Sequence, residues 1–329
     1  MTDKKVTYLE AISQAIREEM LRDNAVFLMG EDVATYDGTF KVSAGLREEF
    51  GAERVIDMPM SEATIIGSAV GSALMGMRPI AEMQFIDFVS CGFDQIIHMA
   101  SKLYWRVGMS IPIVVRGPSG GGKKGDSLRA VSPETCFFHV PGLKVVTPST
   151  TYDAKGMLKA AIRDNNPVLY LEHTLLYRMP ELREELPLDD YIVPLGKAIV
   201  RREGDAMTMI TYGAMVHQCM RAAQVLEEHD DVEVEVLDLR SLSPLDREAI
   251  MTSVKHTNKV LIVSEDTLSG GIGAELSALL DEDLLEYLDG PITRVAASNF
   301  PFPYAAPLEE AYFPHAKKIL TAARELAAY

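Results

Sequence analysis

The sequence predicts an α/β protein of two doubly wound domains, and three observations carry that expectation. Short β-branched runs alternate from end to end with longer stretches of 3.6-residue period, the mark of parallel sheets flanked by helices. A polar, proline-containing segment without a steady period, residues 178–194, interrupts the alternation. The 329 residues suffice for two domains at about 150 residues each. The expected boundaries are 1–185 for the first domain, 186–200 for the linker and 201–329 for the second.

The first helix is expected to start at a capping box, Thr7 with Glu10, and to carry Ala11, Ile12, Ala15, Ile16 and Met20 on one face. Strands are expected near 26–29, 80–83, 111–115, 143–146 and 168–171. The second series reads strand 207–211, helix 216–228, strand 232–237, helix 247–257 and strand 260–263, with a further helix after Gly270-Gly271-Ile272-Gly273.

Composition narrows the function classes. With 47% hydrophobic and 24% charged residues the chain reads as an ordinary globular protein, not a disordered one. The 48 acidic and 32 basic residues give a net charge of −16, which disfavours a nucleic-acid backbone as partner. The uncharged stretch 63–77 is too short for the ~20 apolar residues of a membrane span. No apolar core follows Met1-Thr2-Asp3-Lys4-Lys5, so no secretory signal is read and a cytoplasmic location is expected. Cys91, Cys136 and Cys219 lie far apart, encode neither a disulfide framework nor a zinc site, and are read as buried thiols in a reducing compartment.

Among the motifs, residues 117–124 (GPSGGGKK) nearly spell a P-loop. Lys124 stands where a magnesium-binding hydroxyl belongs and no helix start follows, so a glycine loop near a substrate entrance is the better reading. Gly270-Gly271-Ile272-Gly273 could hold an anion at a helix start, although close strand–helix packing accounts for it equally well. The seven histidines show no metal-ligand spacing; His139 is kept as a candidate pocket residue. The most informative segment is Met58-Pro59-Met60-Ser61-Glu62-Ala63, where one carboxylate, Glu62, opens an otherwise uncharged helix. Ser61 is a good cap, and an acid in the first turn suits the helix dipole. Gly67, Gly71 and Gly76 each cost a helix about 0.5–1 kcal/mol relative to Ala. A close-packing neighbouring backbone would explain them, and a subunit contact is the expectation.

Several strings in order, LMGEDV (28–33), GTFKVSAGL (38–46), RVIDMPMSEA (54–63), RPIAEMQFIDF (78–88), PIVVRGP (112–118), HVPGLKVVTPS (139–149) and AIRDNNPVLYLE (161–172), carry a family resemblance. VLDLRSLSPLD (236–246), GGIGAE (270–275) and PFPYA (301–305) continue it. Over nearly its whole length the chain resembles the beta subunit of thiamine diphosphate-dependent 2-oxo acid dehydrogenases, the first component of the pyruvate and branched-chain complexes, and of acetoin dehydrogenases. The fold implied is a transketolase-like pyrimidine-binding domain followed by a transketolase C-terminal-like domain.

The resemblance implies that Glu62 hydrogen-bonds the cofactor's aminopyrimidine and shares a proton with its ring nitrogen, favouring the tautomer that can deprotonate the thiazolium carbon. Desolvation by the apolar stretch beside it would raise its proton affinity. Gln84 and Phe88 match positions lining the pyrimidine, and Glu31 an acidic position on the route between paired active sites. Ile113, Ala161, Ile162, Asp164 and Asn166 match a potassium site built mostly of backbone carbonyls.

The chain contains no Gly-Asp-Gly segment to bind the diphosphate and magnesium. An alpha subunit is therefore implied, in an α2β2 heterotetramer that decarboxylates a 2-oxo acid (branched-chain or pyruvate) and passes the acyl group to a lipoyl-bearing acyltransferase component. Where the family has a catalytic histidine this chain has Arg129, which stays charged and cannot act as a base. Either Arg129 holds a substrate carboxylate, or His139 or the partner supplies the missing group. Acetoin cleavage, or a docking subunit of impaired chemistry that offers Asp281, Glu282, Asp283 and Glu286 to a basic segment, are the alternative readings.

Overall fold

A computed structural model describes residues 5–121 and 132–329. Two compact units divide the chain: Met1–Ser119 with Cys136–Leu195, and Gly120–Thr135 with Gly196–Tyr329. Of the described residues, 120–121 and 132–135 thus group with the second unit although the first unit flanks them in sequence.

In the first unit, α1 (Tyr8–Arg22) begins at the expected capping box: the Thr7 hydroxyl accepts from Glu10 N at 3.2 Å and the Glu10 carboxylate accepts from Thr7 N at 2.7 Å. Its apolar face, Ala11, Ile12, Ala15, Ile16 and Met20, is fully buried. The strands β1 (Val26–Gly30), β2 (Val55–Asp57), β3 (Arg78–Glu82), β4 (Val114–Ser119), β5 (Lys144–Val146) and β6 (Val168–His173) form a parallel sheet. Their order across the unit is β5-β6-β4-β3-β1-β2. Strand β4 begins later than the expected 111–115. Its buried run continues through Gly117-Pro118-Ser119, a Gly-Pro pair that reads as loop in sequence but here lies in a central strand.

Helix α2 (Glu62–Leu74) follows β2, and α4 (Thr151–Arg163) precedes β6, with a short helix α3 (Leu103–Val107) between them. Helices α1 and α4 pack together through buried charge: Lys159 bridges Glu18 at 2.7 Å and also pairs with Asp190, while Arg163 pairs with Glu19 at 2.6 Å. Asp190 belongs to the crossing segment, which lies against α4. Tyr191 stacks on Tyr152 with centroids 4.4 Å apart, and Val193 N donates to the Gly156 carbonyl at 3.0 Å.

A Cβ on Gly156 would sit 2.5 Å from Val193 Cγ2 and 3.0 Å from its backbone nitrogen. Gly156→Ala is therefore expected to destabilise the first unit by about 2 kcal/mol, overpacking outweighing the helix-propensity gain of alanine. Thermal unfolding of the full chain checks this, and an unchanged or raised midpoint contradicts the contact.

In the second unit β7 (Ile199–Arg202), β8 (Met207–Thr211), β9 (Val234–Asp238), β10 (Val260–Thr267) and β11 (Thr293–Ala297) are ordered β11-β10-β8-β9-β7. All are parallel except the edge strand β7. Helices α5 (Met215–Asp230), α6 (Arg247–Thr257), α7 (Ile272–Leu284) and α8 (Ala316–Ala327) cover it. Helix α6 is capped by the Asp246 carboxylate, which accepts from Ala249 N. No helix among the described residues is long and apolar enough to cross a membrane.

Candidate active site at the carboxyl edge of the first sheet

The chain leaves β1 for β2 on one side and returns to β3 on the other, so the connections reverse direction at β1 and β3. In such sheets the crevice beyond the carboxyl ends of the strands at the reversal is where ligands bind. The ends are level: Gly30 stands opposite both Asp57 and Glu82, and Glu82 opposite Arg116. Directly beyond them come the predicted residues. Glu31 follows β1, Glu62 opens α2, Gln84 lies just past β3, and Phe88 sits on the 3₁₀ turn Ile86–Gly92.

Their neighbours fix these positions. A Cβ on Gly92 would meet Ile66 Cδ1 at 2.3 Å and the Glu62 carbonyl at 3.3 Å, so only glycine lets the turn carrying Phe88 lie against the start of α2. The loop after Glu31 is pinned by Asp57, which accepts from Ala34 N at 2.6 Å, from Thr35 N at 3.0 Å and from the Thr35 hydroxyl. Burial opposes ionisation of Asp57, but these hydrogen bonds outweigh it and hold its pKa below the usual range. Glu31 is buried, and its pKa is pushed up by burial first, then by the carboxylates of Glu62 and Asp32. Phe88 is 41% exposed and offers a flat apolar face. The edge therefore unites two electrostatically coupled acids, an amide and an aromatic ring. Such a set can hold a neutral heteroaromatic ring and exchange a proton with it.

Several expectations are corrected. Ser61 occupies the cap position of α2 without capping it; its hydroxyl bonds that of Thr64 at 2.8 Å. Gly67 faces the Gln95 side chain rather than a backbone, Gly71 has nothing within 4 Å, and Gly76 lies beyond the helix at φ +92. Among the described residues, no second backbone is among the nearest atoms to the Cβ positions of Gly67 or Gly71. Cys91 and Cys136 are exposed and only Cys219 is buried, its thiol pushed up to about 12 by burial. His139 is exposed, edge-on to Phe138. Arg129 and the last three residues of the glycine-rich segment, 122–124, lie outside the described residues.

The five potassium candidates lie together in the first unit. Ile113 precedes β4, Ala161 and Ile162 form the last turn of α4, and Asp164 and Asn166 follow it. The Ile113 carbonyl accepts from Val168 N at 3.0 Å, while Arg78 donates to the carbonyls of Ile162 (2.9 Å) and Asp164 (2.5 Å). Each carbonyl keeps a second lone pair, so an oxygen-only set of this kind suits a hard cation.

Two features are not in the sequence reading. Beneath the edge, fully buried Arg116 is held bidentately by Glu172, at 2.5 Å to each oxygen, and also bonds Glu82; Tyr177 donates to Glu172 at 2.5 Å. The signal available was one charge in each of three apolar strands, IAE, VVR and LYLE. In the second unit Glu134 is buried and accepts from the Tyr212 hydroxyl at 2.7 Å. Glu265 and Asp266 near it line a cavity of about 480 Å³ with Phe300, Phe302, Tyr312 and Phe313.

The two units and the site edge define a transketolase-like protein. Residues 4–180 match the family described as "Transketolase, pyrimidine binding domain" and 196–319 that described as "Transketolase, C-terminal domain". The solved structure of a split-gene transketolase, an inactive beta4 tetramer, superposes with a TM-score of 0.79 at 20% identity over 98% of each chain, a likeness of fold.

Sequence relatives are more specific. The chain is 49% identical over 327 residues to the 2-oxoisovalerate dehydrogenase subunit beta of Bacillus subtilis (strain 168), covering 98% of this chain and 99% of that one. It is 42% identical over 324 residues to the pyruvate dehydrogenase E1 component subunit beta of the same organism, covering 98% of each. It belongs to the family of 2-oxo acid dehydrogenase beta subunits, thiamine diphosphate-dependent enzymes of the oxidoreductase class.

Proposed function

We propose that this chain is the beta half of a two-chain enzyme that decarboxylates a 2-oxo acid, branched-chain or pyruvate, and hands the acyl group to a lipoyl-bearing acyltransferase in the cytoplasm. The observation that carries this reading is the coupling of Glu31 and Glu62 at the strand reversal, beside Gln84 and Phe88. Thiamine diphosphate, when bound, supplies a thiazolium carbon nucleophile. Glu62 would hold or share a proton at its carboxylate toward the pyrimidine nitrogen. Gln84 orients the ring by hydrogen bonding, and Phe88 covers its face against water. Glu31, with its raised proton affinity, can take up and return a proton. Potassium would be held by the carbonyls around Asp164.

An alpha subunit would bring the diphosphate-binding segment and magnesium. The first unit offers exposed apolar surface for it: Met60, Met75, Phe88, Tyr104, Trp105 and Val107 are all exposed, and α2, between Met60 and Met75, carries no charge after Glu62. Exposed apolar surface rich in Met and aromatic residues and poor in charge is typical of the centre of an interface.

Trp105, the only tryptophan, is 92% exposed. Adding the alpha chain should shift its emission to the blue in step with the appearance of thiamine diphosphate-dependent decarboxylation. Full activity of this chain alone, or assembly with unchanged emission, would count against the reading of partner and face respectively.

A further inference from the structure

The Glu62 carboxylate opposes ionisation of Glu31. Neighbouring carboxylates repel, so a loop free to move would carry Glu31 away from Glu62. What holds it stands at the end of β2. The Gly30 carbonyl, just before Glu31, accepts from Met58 N at 2.8 Å. Further along the loop the Asp57 carboxylate accepts from Ala34 N through Oδ1, at 2.6 Å, and from Thr35 N through Oδ2, at 3.0 Å, with the Thr35 hydroxyl also on Oδ2. Residues 31–33 thus form a short arch whose two feet rest on adjacent residues, Asp57 and Met58.

The arch is strained and closely packed. Asp32 has φ +57, a region that costs a non-glycine residue free energy and persists only where the surroundings hold it. Its carbonyl accepts from Tyr36 N at 3.2 Å and from Gly38 N at 2.9 Å, closing the turn beyond. Val33 is fully buried beside Gly30, where a Cβ would meet Val33 Cγ1 at 3.0 Å and the Glu82 carbonyl at 2.8 Å.

The same two residues begin the chain that delivers Glu62. Only Met58–Ser61 separate the end of β2 from the first residue of α2, and that link turns tightly, Ser61 N donating to the Pro59 carbonyl at 2.7 Å. One carboxylate therefore fastens the loop of the first acid to the base of the segment that bears the second.

We propose that Asp57 is a positioning residue, whose tie between arch and link sets the Glu31 carboxylate beside that of Glu62 and keeps it there against their repulsion. The consequence for catalysis rests on the proposed function; the tie itself does not. An acid is needed here because two backbone N–H groups use different oxygens. An amide has one oxygen and would turn its NH2 toward one of those donors. The hydrogen bonds keep the Asp57 pKa below the usual range, so it accepts at neutral pH.

Amide exchange and kinetics test the tie and its use separately. In the full chain, Asp57→Asn should speed exchange at Ala34, Thr35, Tyr36 and Gly38 by about threefold to tenfold, the worth of one hydrogen bond. Strands β1 and β3 should be unchanged, as a check of folding. Thr35→Val, which loses only the hydroxyl bond, should move the same amides less, and Thr35→Ser should not move them. Unchanged exchange in Asp57→Asn would overturn the tie. With the alpha chain present, Asp57→Asn should lower kcat by a similar factor in the otherwise wild-type enzyme. In the Glu31→Gln background it should cost nothing further, because residues that act through one another do not add. Equal losses in both backgrounds, or no loss in either, would overturn the positioning role and leave the tie standing. Glu31→Gln at the wild-type rate would instead remove Glu31 from the proposed function, and the role of Asp57 with it.

Discussion

Replacing Glu62 by glutamine in the assembled enzyme is expected to lower decarboxylation by about 10²–10⁴-fold, the usual worth of a positioned proton-transfer group. Glutamine keeps the length and one hydrogen bond of the side chain but cannot share a proton. The effect should therefore fall on kcat more than on the concentration of cofactor needed. The helix start is insensitive to the change, because Ser61 does not cap it and α2 is held by Ile65, Ile66 and Ala69, all fully buried. Glu62→Gln should accordingly unfold at the wild-type temperature and still shift Trp105 emission on assembly. Undiminished turnover in that variant would remove Glu62 from the chemistry. Partial turnover would place the proton on its coupled neighbour Glu31, and Glu31→Gln would then carry the larger loss.

The second large effect concerns stability of the second unit and pH. Burial, then the carboxylate of Asp266, raises the Glu134 pKa to about 8, against the lowering hydrogen bond from Tyr212. Between the ordinary value of 4.5 and about 8, the folded chain holds a proton that the unfolded chain has released. The stabilising contribution is thus fully present below the lower value and is lost as pH rises through the upper one. One group of this kind changes stability by about 1.4 kcal/mol per pH unit, on the order of 4 kcal/mol across the window. Amide exchange in β8 should report a steep loss of protection between pH 5 and 8 in the wild type. Glu134→Gln, which can still accept from Tyr212, should flatten that slope and be the more stable protein above pH 8. Identical slopes in the two proteins would show that Glu134 ionises normally in the fold.

Much of the architecture was legible because local signals and tertiary demands agree. Thr7 and Glu10 spell a capping box and form one, and the runs at Met207–Thr211 and Arg247–Thr257 fold as the strand and helix their periodicity implies. Strand β4 was read short because Gly117-Pro118 carries turn chemistry, while burial on both faces of a central parallel strand overrides it. The irregular turns over 86–100 have no periodicity to detect, yet they carry Phe88.

The candidate site was legible only through resemblance. Glu31, Glu62, Gln84 and Phe88 are far apart in sequence and are gathered by the level ends of β1, β2 and β3, a register that no local pattern encodes. The Arg116 cluster escaped for the same reason: each charge alone looks like an intrusion in an apolar strand, and only strand order shows that the intrusions neutralise one another. Gly71 shows the reverse limit, since its small size is a property of α2 that nothing among the described residues uses.

The uncharged flank of α2 and the bare indole of Trp105 also bear on how the protein must be made. A surface of Met, Tyr and Trp left open to water is adhesive, so molecules synthesised in excess over their mate would stick to one another or be cleared by proteolysis. On the proposed two-chain reading, matched production of both polypeptides would keep that surface covered, and the soluble yield of this chain should rise when its mate is made alongside it.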